Sequence, residues 1–526
     1  MPRSDRETHP PAVSDGELPA AEIFESLARQ FPVCMASDEF HFFPQAASRS
    51  LDWRRWDDFT PAALAGTLSD LDHWVRELDR ASGSSAPRPE DIDRAMLLRC
   101  LQTLRDQLAE VRVHESQPTF YLTIAGIGLA EAYAFGPEAF DARLGGLPAF
   151  LDQAAGNLAR LPRLFRDLGT AMLARQQRWL ESLALPEERS APVQKAYERL
   201  GRHLEDADVH DDFLPPIDLY ERIARDHMGC GLPPEGIARE LAEETKETLE
   251  ALAAAAAAVA PGRPWQTVVA NLPLPAMPRG GVRELYARAI GELARHCRQV
   301  DLVTSELVAA CPVHVEGIPA YMRPVRSNAA FSMPPGHPPG GGTFFILDTG
   351  PGAAIPPDHR LLTAHETYPG HHLLDTCRWR HPRPVRRHLE FPIFYEGWAS
   401  FAEELLFETG FFEGAVDRLL MAKRRFWRAL RGQVDLDIHM RRRSLDGAAA
   451  LLTSHGLSAR RAAAMVRRYS LKPGYQLAYS IGRRRFKRLW TAFRQREGDP
   501  AVFARRVLAQ GEIGFDHLAQ QLARGG

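Results

Sequence analysis

The sequence predicts a mainly α protein with one small β element. Two observations carry that reading. Apolar residues recur at three- and four-residue spacing from Ala21 to about Cys311, as in LRCLQTLRDQLAEV (98–111) and the run from Pro148 to Leu185. One stretch, TFFIL (343–347), is the best strand candidate in the chain. The composition fits: 526 residues, 45% hydrophobic and 25% charged, describe a globular chain long enough to bury a large core.

Taken in order, residues 1–20 are polar and Pro-rich, and disorder is expected there. They contain no apolar h-region of a secretory leader, and no window of the chain has the 18 apolar residues of a membrane span. The expected location is cytoplasmic, with no membrane partner. Residues 21–290 are expected to form an N-terminal helical lobe. Within it EETKETLEALAAAAAAVA (243–260) reads as a helix with small residues at a close contact. Two Pro/Gly clusters, PGRPW (261–265) and PLPAMPRGG (273–281), mark loops near the lobe's end. Residues 291–526 are expected to form the metal-binding, catalytic lobe, unless the chain is one continuous domain. Around TFFIL, the stretch from Gly317 to Gly350 is loop-rich. TFFIL itself reads either as a core strand or as an edge open to an extended peptide.

The overall charge of −2 does not argue for nucleic acid. It is unevenly spread. Residues 421–526 hold 23 Lys+Arg against 7 Asp+Glu, and residues 1–420 hold 42 against 60. Either the two parts attract each other or these are solvated faces, the second being the more common case. The basic part carries no nucleic-acid motif. The six cysteines are scattered without a CxxC, which excludes a disulfide scaffold and a cysteine-built zinc finger.

The chemistry is concentrated in HETYPGHH (365–372). A zinc hydrolase helix carries H-E-x-x-H, where two histidines four apart share a face and the glutamate is the general base. Here Pro369 occupies the fourth position. In an unbroken helix His371 would point away, and His372 would lie about 10 Å along the axis, too far to share an ion. Proline breaks the helix, however. With Pro369-Gly370 looped out, the text becomes H-E-T-Y-H, and His371 takes the second ligand's place. His365 and His371 are therefore the expected ligands, with His372 as a supporting residue or an alternative ligand. Downstream, YEGWASFAEE (395–404) places Glu396, Ser400 and Glu403 on one helix face, with Glu404 at its edge. Glu396 completes a His₂Glu set with an open position for water. Glu366 is the expected base and Glu403 a partner that orients a histidine. The chemistry-free reading is a helix with surface His and Glu.

These motifs resemble those of a large bacterial family known as domain of unknown function 885. HETYPGHH and EGWASFAEELLFETG resemble its HE-x-x-PGHH and EGWA-x-x-x-E. PGHPPGGGTFFILDTG, LKPGYQLAYSIGRRRF (471–486) and LYERIARDHMGCGLPPEGIARELAEE (219–244) resemble its flanking segments. The family is grouped with gluzincin-type metallopeptidases. The resemblance therefore implies a zincin-like helical fold with a small sheet beside the active-site helix and a deep cleft. It also implies one Zn²⁺ on His365, His371 and Glu396, with Glu366 as base. This chain departs from the family at Leu374 or Asp375 and at Tyr475, where Gln is common, and in lacking the signal peptide of many members.

The expected function is a zinc-dependent hydrolase of amide bonds in short peptides or peptide-like molecules. Tyr479, where the family has its C-terminal Tyr, is the expected oxyanion donor, and Tyr475 a weaker one. Arg483, Arg484 and Arg485 are candidates for a substrate carboxylate, with structural roles the commoner outcome. Arg326 and Asn328 are minor candidates, and Trp398 and Phe401 read as core. Two alternatives stand beside this: a dedicated biosynthetic or resistance hydrolase, and a non-catalytic, metal-stapled binding protein.

Overall fold

A computed structural model describes residues 19–47, 50–80, 88–318, 330–332, 341–347 and 355–523. Residues 1–18, where disorder is expected, lie outside the described residues, as do Arg326 and Asn328. The protein is mainly helical, with 71% of residues in helices and a few short strands. One hydrophobic cluster runs from Ala20 to Leu522, so N- and C-terminal helices share a core.

The periodic run from Pro148 to Leu185 is not continuous. It divides into helices Pro137–Asn157 and Arg163–Ser182. Between them Arg160–Pro162 pairs in parallel with Asp208–His210. Apolar spacing persists across the break because both helices face the same core.

Seven helices and three strands build the site. Helix α1 (Pro234–Val259) lies along α6 (Ala415–His439). A Cβ on Gly432 of α6 would stand 2.9 Å from Leu241 Cδ2, so glycine permits this approach. The Ala-rich end of α1 buries Leu252 and Ala256 against Leu419, Ala422 and Phe426. Helix α2 (Gly281–Gln299) sets the Tyr286 ring edge-on to Phe344, 5.3 Å between centroids.

The sheet contains β1 (Val313–Gly317), β2 (Ala330–Ser332) and β3 (Gly342–Ile346), in the order β1-β3-β2. Strand β3 is parallel to β1, with Val315 opposite Phe344, and antiparallel to β2. TFFIL is therefore the central strand, with Phe344 and Ile346 fully buried. The edge-strand reading is corrected: both of its edges are already paired.

Next come α3 (His359–Glu366), α4 (His371–Trp379), α5 (Pro392–Glu408) and α7 (Leu477–Arg494). Helices α5 and α7 touch through glycines. A Cβ on Gly397 would come within 2.6 Å of Gly482 Cα. The glycines of EGWA and SIGRRR thus bring the Glu396 helix and the Tyr479 helix together.

The uneven charge is largely an internal matter. Glu244 on α1 is fully buried and bonded to Arg425 of α6 at 2.9 Å, to Arg484 at 3.2 Å, and to Arg483. Arg484 also reaches Glu243 and Glu247, and Arg488 reaches Glu240. For these residues attraction between the two parts, not solvation, describes the basic helices. No helix among the described residues is long and apolar enough to cross a membrane.

Candidate metal centre

The backbone at 364–374 sets the histidine spacing. Thr367 N–H donates to Thr363 O at 2.8 Å, the last ordinary helical bond of α3. Gly370 N–H then donates to Ala364 O at 3.1 Å, and Leu373 N–H to Thr367 O at 3.3 Å. Each of these two bonds spans six residues rather than four. Leu374 N–H returns to Gly370 O at 3.1 Å, and α4 begins. Two extra residues are thus accommodated in the turn, which includes a cis Tyr368–Pro369 bond. Gly370 is required there, since a Cβ would meet the Ala364 carbonyl oxygen at 2.5 Å.

His371 consequently lies beside His365, with ring centroids 4.7 Å apart. Glu396 enters from α5. Its Oε2 is 3.5 Å from His365 Nε2 and 3.6 Å from His371 Nε2. One ligand atom from each of the three residues lies within 4.8 Å of the others. All three are buried, at 5%, 5% and 6% exposure. Oε2 of Glu396 has no hydrogen-bond partner among the described residues. A buried carboxylate oxygen facing two imidazole nitrogens is a donor set of the His₂Glu kind.

Neighbouring side chains orient this set. His365 Nδ1 faces Glu403 Oε1 at 3.1 Å, leaving Nε2 toward Glu396. Glu403 is fully buried and takes two bonds of 3.0 Å from Arg424 and one of 2.5 Å from Arg428. Burial would raise the Glu403 carboxyl, but these arginines and His365 outweigh it and hold it well below the usual range. Burial likewise opposes ionisation of Glu396, and the imidazoles of His365 and His371 facing it win, holding it well below the usual carboxylate range. For His365 itself, burial and Arg428 favour the neutral ring, and the two glutamates reverse this and raise it. His371 is held differently. Its ring stacks on Tyr395 at 4.0 Å, and the Tyr395 phenol donates to Asp375 Oδ2 at 3.1 Å.

The other expected residues fall on two sides of the cluster. Glu366 closes α3, half-buried, and its charge acts on His365 and on Arg424. Tyr475 donates to Glu396 Oε1 at 2.9 Å, which makes it the better placed of the two tyrosines for that carboxylate. Tyr479 faces the same glutamate. Burial first, and Glu396 second, push both phenols well above their ordinary range, so they stay protonated donors. His372 is turned away from the cluster. Its Nε2 reaches Cys311 O at 2.9 Å, and burial lowers it to about 4. Its role is to tie α4 to the start of the sheet. Arg483 and Arg484 are occupied by α1 glutamates, and Arg485 donates to Cys230 O at 2.6 Å. Glu404 is held by Arg483 and does not join the cluster. Trp398 and Phe401 are fully buried core.

The profile of the family described as "Bacterial protein of unknown function (DUF885)" matches residues 45–522. This chain belongs to the DUF885 family. Two solved structures share its fold. One is a "putative lipoprotein of unknown function" from Shewanella oneidensis, 17% identical, with a TM-score of 0.70 over 96% of this chain and 98% of that one. The other is a "putative lipoprotein" from Colwellia psychrerythraea, 16% identical, with a TM-score of 0.76 over the same shares. No curated protein matches. The expectation of a cytoplasmic protein is corrected by these relatives. Both are named as putative lipoproteins. An opening segment without an apolar run does not decide location in this DUF885 fold.

Sequence reasoning missed several residues around the cluster in this DUF885 protein. Arg424 and Arg428 are separated from Glu403 by 21 and 25 residues and follow no local pattern. Asp435 is fully buried and accepts the backbone N–H of Gly474 at 2.9 Å and of Gln476 at 3.0 Å. It thereby fixes the turn that presents Tyr475. Gly474, with φ of 80°, is the residue that turn requires. A carboxylate one helix away from a PGYQ turn is the signal that would have found it.

Proposed function

We propose that this protein is a metal-dependent hydrolase of amide bonds in short peptides or peptide-like molecules, on a zincin-like helical scaffold. One observation carries the reading: buried Glu396 Oε2, without a hydrogen bond among the described residues, faces Nε2 of both His365 and His371, and Glu366 directly follows the first histidine. The donor set fits zinc, with His365, His371 and Glu396 as the residues that would hold it. When bound there, such an ion supplies Lewis acidity toward a carbonyl oxygen and toward a water.

The chain's own residues do the rest. Glu366 accepts a proton from the attacking water and delivers it to the leaving amine, so that amide and water become acid and amine. Glu403 keeps His365 in one tautomer, with Nε2 free of a proton. Tyr475 holds one oxygen of Glu396 and thereby aims the other. Tyr479, protonated over the working pH range, donates to the oxygen on which charge develops. The burial of the cluster excludes folded proteins and favours small substrates.

Metal analysis by plasma mass spectrometry is the first test. The expected result is near one zinc per chain, lost in His365→Ala and His371→Ala and kept in His372→Ala. Glu366→Gln is expected to keep the metal and to lose hydrolysis of a dipeptide and tripeptide panel. A protein that takes up no metal after zinc is added back would leave the binding-protein reading in first place. Uptake with cleavage of no peptide would favour a dedicated hydrolase.

A further inference from the structure

The face of α6 turned to the metal centre carries Arg424, Arg428 and Arg431, spaced four and three residues apart. Their partners are unequal. Glu403 bonds Arg424 and Arg428, and Asp358 adds a contact to Arg424 at 3.4 Å. No carboxylate among the described residues pairs with Arg431. Arg428 is 5% exposed, yet among the described residues its Nη1 has no hydrogen-bond partner, and neither does the buried Nε of Arg431. Buried guanidinium donors are normally satisfied, so two open ones on adjacent turns point to an anionic acceptor that arrives from outside.

The location identifies the anion's part in the chemistry. The Arg431 guanidinium lies over the Tyr479 ring, 4.8 Å from its centroid. The Tyr479 phenol in turn meets Glu396. One phenol ring therefore separates the open arginine from the metal centre, a span of one or two extended residues at roughly 3.5 Å each. Arg428 borders the same centre through His365 Nδ1, at 3.1 Å. Arginine in this setting prefers a planar, two-oxygen partner.

We propose that Arg431, supported by Arg428 and shelved on Tyr479, anchors the free C-terminal carboxylate of the substrate. Resting on the hydrolase reading above, this makes the substrates short peptides cut one or two residues from their C-terminus. Peptides with a blocked C-terminus are then poor substrates.

The test compares acid and amide forms of one probe. N-acetylalanine and N-acetylalaninamide are titrated into the purified full-length protein by calorimetry. Alanyl-alanine and alanyl-alaninamide are compared as substrates. The wild type is expected to prefer the acid by roughly 10–100-fold, the worth of a charge-assisted hydrogen bond. Arg431→Gln is expected to remove the preference, mainly through KM, and Arg431→Lys to restore part of it. Equal binding of acid and amide by the wild type overturns the proposal, even where a variant fails to fold. A preference unchanged in Arg431→Gln overturns it as well. The two readings separate cleanly. Acid-selective binding without any turnover supports the anchor and removes the hydrolase, whereas equal cleavage of acid and amide supports the hydrolase and removes the anchor.

Discussion

Glu403 carries an unusual load for one side chain. It neutralises two arginines and orients His365, all inside the core. Glu403→Gln is expected to weaken zinc binding roughly 10–100-fold, read by competition with a chelator. Loss of the buried ion pairs should also lower stability by about 3–5 kcal/mol in chemical denaturation. A second buried residue, Glu512, gives a pH signature. Burial pushes it up to about 8, against the opposing pull of Arg378 and the Phe391 N–H. An acid whose folded value is raised stabilises fully below its ordinary value, near 4.3, and loses that contribution as pH rises through 8. Glu512→Gln keeps an acceptor for Phe391 N–H, which bonds Glu512 at 2.7 Å. The melting temperature of the wild type should therefore fall between pH 6 and 9 more steeply than that of the variant. Parallel curves would assign the proton to another group. Glu403 was visible in the sequence by its helical spacing from Glu396. Glu512 was not, because its partners Arg378 and Phe391 are more than a hundred residues distant.

Among the elements, the pairs α3–α4 and α5–α7 were legible to different degrees. Proline at 369 announces an interrupted helix, and counting residues brings His371 beside His365. The way the interruption is built, with two six-residue backbone bonds from Gly370 and Leu373, is visible only in the folded backbone. Gly370→Ala is expected to destabilise the protein by about 1–3 kcal/mol and to reduce metal uptake, because the added carbon meets the Ala364 carbonyl. Equal destabilisation with full metal uptake would show that the two histidines are held in place by other contacts. The α5–α7 contact was half legible. Glycines stand in both motifs, but that they touch each other follows from tertiary packing. The strand at TFFIL shows the opposite limit. Its hydrophobic pattern identified a strand, and only its neighbours revealed a central one.

For the whole molecule, helical periodicity was enough to predict the fold class, because most of these helices bury one face against a shared core. The charge asymmetry was visible as arithmetic, but its meaning depended on which helices lie side by side. Glu244 is the keystone of that pairing, meeting Arg425, Arg483 and Arg484 from two different helices. Glu244→Ala is expected to cost about 3–5 kcal/mol, since it removes the carboxylate shared by Arg425, Arg483 and Arg484 and leaves Arg483, which is 3% exposed, with Glu404 alone. Substitution of the exposed Glu243 should cost under about 1 kcal/mol, and the contrast is readable by urea denaturation. Equal losses would place the stabilising charge at the surface.

The insert between α3 and α4 also bears on how such chains are aligned. Its two residues lengthen the text between the histidines and leave their side chains adjacent. An ungapped comparison with an H-E-x-x-H helix sets Pro369 against a histidine and scores the two sites as unrelated. A gap of two residues at 369–370 brings His371 into register. Fixed-spacing patterns therefore pass over this geometry, and an insertion or deletion of a proline-glycine pair is enough to convert one spelling of it into the other.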